Sequence, residues 1–204
     1  MRNKLDELTA VSHRALASAL AEARARGGEA LFAVDATMGN GHDTLFLAST
    51  IHEKGRVFAF DVQEAALDTT KLRLEKMGLA KNVSFMLAGH ETALTVLPAG
   101  ISGNLWAVTF NLGFLPRSDR RIMTKPATTL AALDSFASLM ASGGMLSVQA
   151  YAGHKGGEEE YESVSSWFRE LSWQMWHVSA YSFVNKPRNR EILFLAQRCS
   201  GEEG

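Results

Sequence analysis

Val34-Asp35-Ala36-Thr37-Met38-Gly39-Asn40-Gly41-His42-Asp43-Thr44 is the stretch on which the reading of the fold turns. It grows out of an apolar run at 31–36 that reads as a buried strand, and it leads into helix-like sequence at 42–52. Gly39 and Gly41 let the backbone turn tightly and approach a ligand with no Cβ in the way. The helix that follows presents its unpaired N–H groups to the same loop. A plain β–α turn accounts for the two glycines as well. A dinucleotide fingerprint is a further reading, since Gly39-x-Gly41-x-x-Thr44 nearly matches it, but the third glycine is missing.

Outward from this stretch, short apolar runs alternate with helical patterns. Toward the N-terminus, 3–26 is rich in Ala, Leu, Glu and Arg, with Leu5, Leu8, Leu16 and Leu20 at helical spacing and Gly27-Gly28 as the stop. Toward the C-terminus, strands are predicted at 57–60, 83–87, 105–110 and 145–151. Helices are predicted at 64–77 with Gly78 as cap, at 118–141 closed by Gly143-Gly144, and at 158–171. The last two strand-like runs, 176–184 and 192–196, have no room for a helix between them and predict an antiparallel hairpin. The expectation is an α/β fold: a mostly parallel sheet of seven strands, one of them antiparallel, with helices on both faces. This pattern resembles the class I methyltransferase (Rossmann-like) fold, in which the seventh strand inserts antiparallel between the fifth and sixth. The acid four positions before Gly39, Asp35, also fits that fold's pattern better than a dehydrogenase's.

Ligands of such sheets bind beyond the carboxyl ends of the strands, so the loops there hold the candidate residues. Asp61 ends the second strand, 20 residues after Gly41, where a carboxylate can accept both hydroxyl hydrogens of a ribose; capping the next helix is the bland alternative. Ala88-Gly89-His90-Glu91 follows the third strand, where groups that touch an adenine usually sit; Glu91 reads equally as a solvated helix start. Phe110-Asn111-Leu112-Gly113-Phe114-Leu115-Pro116 follows the fourth and resembles the Asn-Pro-Pro-aromatic motif of amino-methyltransferases, with Leu112-Gly113 where Pro-Pro would stand. In that motif the Asn oxygen and a nearby carbonyl accept hydrogens of the target amine, and the aromatic, here Phe114, stacks on the base. An Asx-turn is the other reading of Asn111. Tyr151 and His154 in the loop after the fifth strand are candidate proton acceptors, with a merely exposed loop histidine as the alternative. No spacing of the single cysteine and six histidines matches a metal site.

Taken together, these runs resemble the small bacterial methylases labelled "putative rRNA methylases", the YtqB-like group. Residues 34–44 are close to its first signature, 59–63 to its second and 110–116 to its third; Tyr151-x-Gly-His154-x-x-Gly157 and Asn185-x-x-x-Asn189 are similar to two later ones. The resemblance covers roughly 10–197. Members have been assigned as tRNA methyltransferases acting on 5-aminomethyl-2-thiouridine at the wobble position. It implies S-adenosylmethionine as cofactor, with S-adenosylhomocysteine as product, and an exocyclic amine as methyl acceptor. By the same resemblance Asp35, Gly39, Asn40, Gly41, Asp43, Asp61, Gln63, Gly89 and His90 line the cofactor site. Asn111, the Leu112 carbonyl, Phe114, Tyr151 and His154 serve the acceptor. The chain departs from the pattern at Phe114, where a tyrosine is common, and at Lys186-Pro187-Arg188, where the family tends to have Gln, Asn and a Pro-Pro pair. A different acceptor (an rRNA base or a small amine) and a non-catalytic nucleotide- or RNA-binding protein stay open as alternatives.

Composition sets the outer bounds. At 204 residues with 46% hydrophobic content, the chain predicts one domain at 1–199, including an N-terminal helix at 1–28, and a disordered tail at 200–204. One cysteine and a charged, non-secretory start point to the cytoplasm, and no apolar run is long enough for a membrane span. The net charge of −1 hides a separation. Arg117, Arg120, Arg121 and Lys125 against Asp119 give +3, and Lys186, Arg188 and Arg190 give another +3. Glu158, Glu159, Glu160, Glu162, Glu202 and Glu203 offset them. The basic rim of Arg117, Arg120, Arg121, Lys186 and Arg188 suits a short RNA such as a tRNA anticodon loop. A homodimer is an open arrangement.

Overall fold

The computed structural model describes residues 7–27, 30–51, 54–113, 123–152, 157–186 and 190–200. Helix α1 (Glu7–Ala25) precedes strand β1 (Phe32–Asp35), α2 (His42–Thr50), β2 (Arg56–Asp61), α3 (Glu64–Lys76) and β3 (Val83–Leu87). A short helix α4 (Ala93–Val96) leads to β4 (Leu105–Asn111), α5 (Pro126–Leu139), β5 (Met140–Tyr151), α6 (Gly157–Glu170) and the hairpin β6 (Trp176–Tyr181) and β7 (Glu191–Arg198). The strands form one sheet in the order β3-β2-β1-β4-β5-β7-β6. β7 runs antiparallel to both β5 and β6, and the other pairs are parallel. This is the class I methyltransferase arrangement predicted from the alternation and the closing hairpin.

Both sheet faces are covered, which is why the central strands are apolar along their length. In β2, Val57 and Ala59 face a core shared with Leu16 and Leu20 of α1, Leu47 of α2 and Leu74 of α3. Phe58 and Phe60 alternate to the opposite core, with Leu133 and Phe136 of α5 and Val164 and Phe168 of α6. Among the described residues, no helix is long and apolar enough to cross a membrane.

Two predicted boundaries are corrected. The helix expected at 118–141 starts at Pro126. Proline is pre-set for a first helical position, and Lys125 before it is held extended. Gly143-Gly144 does not separate helix from strand, because β5 already begins at Met140. The pairing jumps from Leu105↔Met140 to Ala107↔Met145, so 141–144 bulges out of the ladder. Gly143 turns there at φ +88°, and a Cβ on Gly144 would lie 3.0 Å from the carbonyl oxygens of Ala141 and Leu105. The helix starts at 1–6 and 118–122 and the tail at 201–204 lie outside the described residues.

Candidate functional site

The carboxyl ends of β1, β2, β4 and β5 bring Asp35, Asp61, Asn111 and Tyr151 to one edge of the sheet. The loop after β1 is bonded on several sides. Met38 N–H donates to the Phe60 carbonyl at 2.8 Å, and Gly39 N–H donates to Asp61 Oδ2 at 2.9 Å. Thr70 of α3 donates its hydroxyl to the Gly39 carbonyl at 3.0 Å, and Arg73 Nε donates to the Asn40 carbonyl at 2.8 Å. Gly41 sits at φ +74°, and a Cβ there would lie 2.6 Å from the Thr70 side chain. Only glycine fits both the dihedral and the space.

Asp61 also accepts from Gln63 N–H at 2.9 Å. Each of its oxygens thus takes one backbone hydrogen and retains acceptor capacity for a hydroxyl. Asp35 lies deeper. It is fully buried, accepting from Thr37 N–H at 3.2 Å and from the Thr44 hydroxyl at 2.5 Å. Burial pushes its carboxyl up to about 7, and the nearby Asp43 carboxylate adds to the rise. Asp43 is drawn toward the N-terminal helix: its Oδ1 meets His13 Nε2 at 2.7 Å, and the His13 ring stacks on Phe46 at 3.8 Å.

After β3, the Glu91 carboxylate folds over Gly89, into the space a Cβ would take. His90 is buried beneath, with Nδ1 3.0 Å from the Ala36 carbonyl and its ring edge-on to Phe110. A carbonyl only accepts, so Nδ1 carries the proton and Nε2 is a bare acceptor. Burial lowers the affinity of His90 for a second proton, and Nε2 has no partner among the described residues. An orphaned acceptor, a glycine cradle and a strand-end carboxylate at one edge fit an adenosine-bearing cofactor.

The part of the edge at β4 and β5 is built differently. Asn111 is exposed at the end of β4, and its N–H donates to Thr37 Oγ1 at 2.7 Å. Leu112 is buried, with its N–H on the Gln149 carbonyl at 2.9 Å. The Gln149 side chain accepts from Thr9 at 3.1 Å and donates to the Tyr151 hydroxyl at 2.7 Å and to Glu191 Oε1 at 2.6 Å. Gly113 and Thr124 close a loop on each other. Gly113 N–H donates to Thr124 Oγ1 at 2.9 Å, and Thr124 N–H donates to the Gly113 carbonyl at 3.0 Å. Glu160 anchors that closure from α6, accepting from the Thr124 and Thr129 hydroxyls at 2.7 Å each. It is buried, which corrects its reading as one of the surface charges that offset the basic rim. Phe114, His154, Arg117, Arg120, Arg121 and Arg188 lie outside the described residues. Lys186 of the expected rim is described, 3.9 Å from Glu191 Oε2. Among the described residues no group of His, Cys, Asp and Glu could hold a metal ion.

Sequence reasoning missed His13, Thr37, Thr70, Arg73, Thr124, Gln149 and Glu191 as parts of this edge. Thr37 lies inside the quoted stretch and was within reach. The others meet the site across long separations and leave no local signal.

Known proteins resemble this chain in sequence and fold. A family model described as "Putative rRNA methylase" matches residues 57–197. A chloroplastic "tRNA (mnm(5)s(2)U34)-methyltransferase" of Arabidopsis thaliana is 32% identical over 173 residues, 81% of this chain. The chain spans 62% of that relative's length. A "putative rRNA-methylase" of Clostridium thermocellum superposes with a TM-score of 0.85 at 32% identity, over 96% of this chain and 99% of that one. A "putative methyltransferase" of Streptococcus mutans, solved in complex with SAH, does so with a TM-score of 0.80 at 32% identity and the same coverage.

Proposed function

Because the chain belongs to the family described as "Putative rRNA methylase", we propose that it is an S-adenosylmethionine-dependent methyltransferase. Its acceptor is the exocyclic amine of 5-aminomethyl-(2-thio)uridine at the tRNA wobble position. The observation that carries this reading is the hydrogen bond that Asn111 N–H donates to Thr37 Oγ1 at 2.7 Å. It sets the candidate amine-holding residue beside the loop whose Gly39 is held by Asp61, so the two candidate sites adjoin. Support for the cofactor comes from the SAH complex of the Streptococcus mutans relative, and support for the acceptor from the Arabidopsis relative's activity.

When bound, S-adenosylmethionine supplies an electrophilic methyl group on its sulfonium. Asp61 would hold the ribose hydroxyls, and Gly39, Asn40 and Gly41 would give close backbone approach. Gly89 and His90 would lie on the adenine side. Asn111 Oδ1 and the Leu112 carbonyl accept the two hydrogens of the neutral amine and aim its lone pair. The His154 imidazole, or water reached through the Tyr151 hydroxyl that Gln149 orients, takes the proton released on transfer. The domain spans 1–199 and works where tRNA is found, in the cytoplasm.

Nucleoside mass spectrometry of RNA from a deletion strain tests the reading. The expected result is loss of the methyl from 5-methylaminomethyl-uridines in tRNA. An unchanged tRNA profile, or a methyl missing from rRNA instead, rejects this acceptor.

A further inference from the structure

On the β7 side of Tyr151 lies a cavity of about 540 Å³ that the methyl-transfer chemistry does not use. Phe183, Tyr161, Lys186, Arg190, Glu158 and Glu191 line it. Its volume is that of a small-ligand pocket, about 300–1,000 Å³. Neighbouring strands are about 4.8 Å apart. Ala152, just after β5, and Glu191 and Ile192 of β7 form its near wall, so it starts one to two strand spacings from Asn111 on β4, within the reach of one nucleotide.

Its lining is specific in kind. Phe183 offers an aromatic face that now carries the Lys186 ammonium, 5.1 Å from the ring centroid. A base can replace that cation on the ring, leaving Lys186 to join Arg190 on a phosphate. Glu158 and Glu191 would repel a bare phosphate chain, but they accept hydrogens from the amino and imino groups of a base. Glu191 is also wired to the acceptor site. The Gln149 amide that donates to its carboxylate at 2.6 Å donates to the Tyr151 hydroxyl at 2.7 Å.

We propose that this cavity receives the nucleobase adjacent to the target uridine in the same RNA strand, stacked on Phe183, with its phosphate at Arg190 and Lys186. The inference rests on the RNA-acceptor reading above and adds a specificity subsite to it.

The test uses an anticodon stem–loop RNA with 5-aminomethyluridine at the wobble position and the fluorescent base 2-aminopurine immediately 5′ or 3′ of it. The wild-type chain is expected to quench one of the two probes at saturation. Phe183→Leu keeps the apolar packing but not the aromatic face, so it should relieve the quench and weaken RNA binding about tenfold. Phe183→Tyr should retain both. Arg190→Gln should reduce the salt dependence of RNA binding by about 0.7 in log–log slope. Unchanged S-adenosylmethionine affinity in all three variants shows that the fold is intact. Quenching at neither position, or quenching that survives Phe183→Leu, overturns the subsite while the acceptor reading stands if the wild type still transfers methyl to tRNA. A wild type that binds no such RNA overturns both.

Discussion

The two halves of the sheet edge are held by different means. Around β1 to β3, the site is backbone: Gly39, Asn40 and Gly41 are fixed through their own N–H and carbonyl groups by Asp61, Arg73, Met38 and Thr70. Around β4, β5 and β7 it is side chain: Gln149 joins Thr9, Tyr151 and Glu191, and Glu160 joins Thr124 and Thr129. A backbone cradle suits a ligand that never changes, because it tolerates little substitution. A side-chain network can be altered residue by residue, which suits recognition of one RNA among many. The division implies that the halves fail separately.

The largest expected effect is on the half around β4, proposed to hold the acceptor. Asn111→Ala should lower turnover about 10²-fold or more while S-adenosylmethionine affinity, by calorimetry, stays within about twofold. Turnover near wild type would remove the amine-holding role. The mirror experiment is Asp61→Ala. It should weaken cofactor binding about 10- to 100-fold, as expected for lost charge-assisted hydrogen bonds, with turnover largely restored at saturating cofactor. Unchanged affinity would break the ribose assignment.

Gln149→Leu probes the network rather than a contact. It leaves Thr9, Tyr151 and Glu191 without their shared amide, and should lower kcat/KM for tRNA about tenfold with cofactor affinity unaltered. A matching loss of cofactor affinity would show that the halves are not separable.

The smallest effect is on pH dependence, and it belongs to the half around β1 to β3, proposed to hold the cofactor. Asp35 holds its proton more tightly folded than unfolded, up to about 7 against an ordinary 3.8. Its contribution to stability is therefore complete below the unfolded value and is lost as pH rises through about 7. Asp35→Asn should flatten that part of the Tm–pH curve between about pH 4 and 7. A cationic ligand favours the ionised carboxyl, so wild-type affinity for S-adenosylmethionine should rise a few-fold from about pH 6 to 8, and the Asn variant should not follow. Parallel curves for the two proteins would remove Asp35 from the cofactor's electrostatics.

The same division explains what could be read in advance. Asp35, the two loop glycines and Asp61 stand at fixed offsets from strand ends, so local sequence was enough to single them out as candidates. The alternation with its closing hairpin announced a parallel sheet with an antiparallel strand, and the resemblance to the class I methyltransferase fold placed that strand. The N-terminal helix was legible as a helix, but nothing local told that His13 would meet Asp43 or that Thr9 would meet Gln149. Those contacts depend on where α1 lands on the sheet. Glu160 looked like its solvated neighbours in an acidic helix start, and only the packing of α6 against α5 turned it inward. The bulge at 141–144 was misread because a pair of glycines marks a stop and a close backbone approach alike.

The central claim is most directly tested in vitro: the purified chain is incubated with S-adenosylmethionine and tRNA carrying 5-aminomethyl-2-thiouridine, and the digested nucleosides are weighed by mass spectrometry. The account predicts that the wobble nucleoside gains the mass of one methylene, located by fragmentation on the aminomethyl nitrogen. A wobble nucleoside of unchanged mass, or a methyl found on another nucleoside, would contradict it.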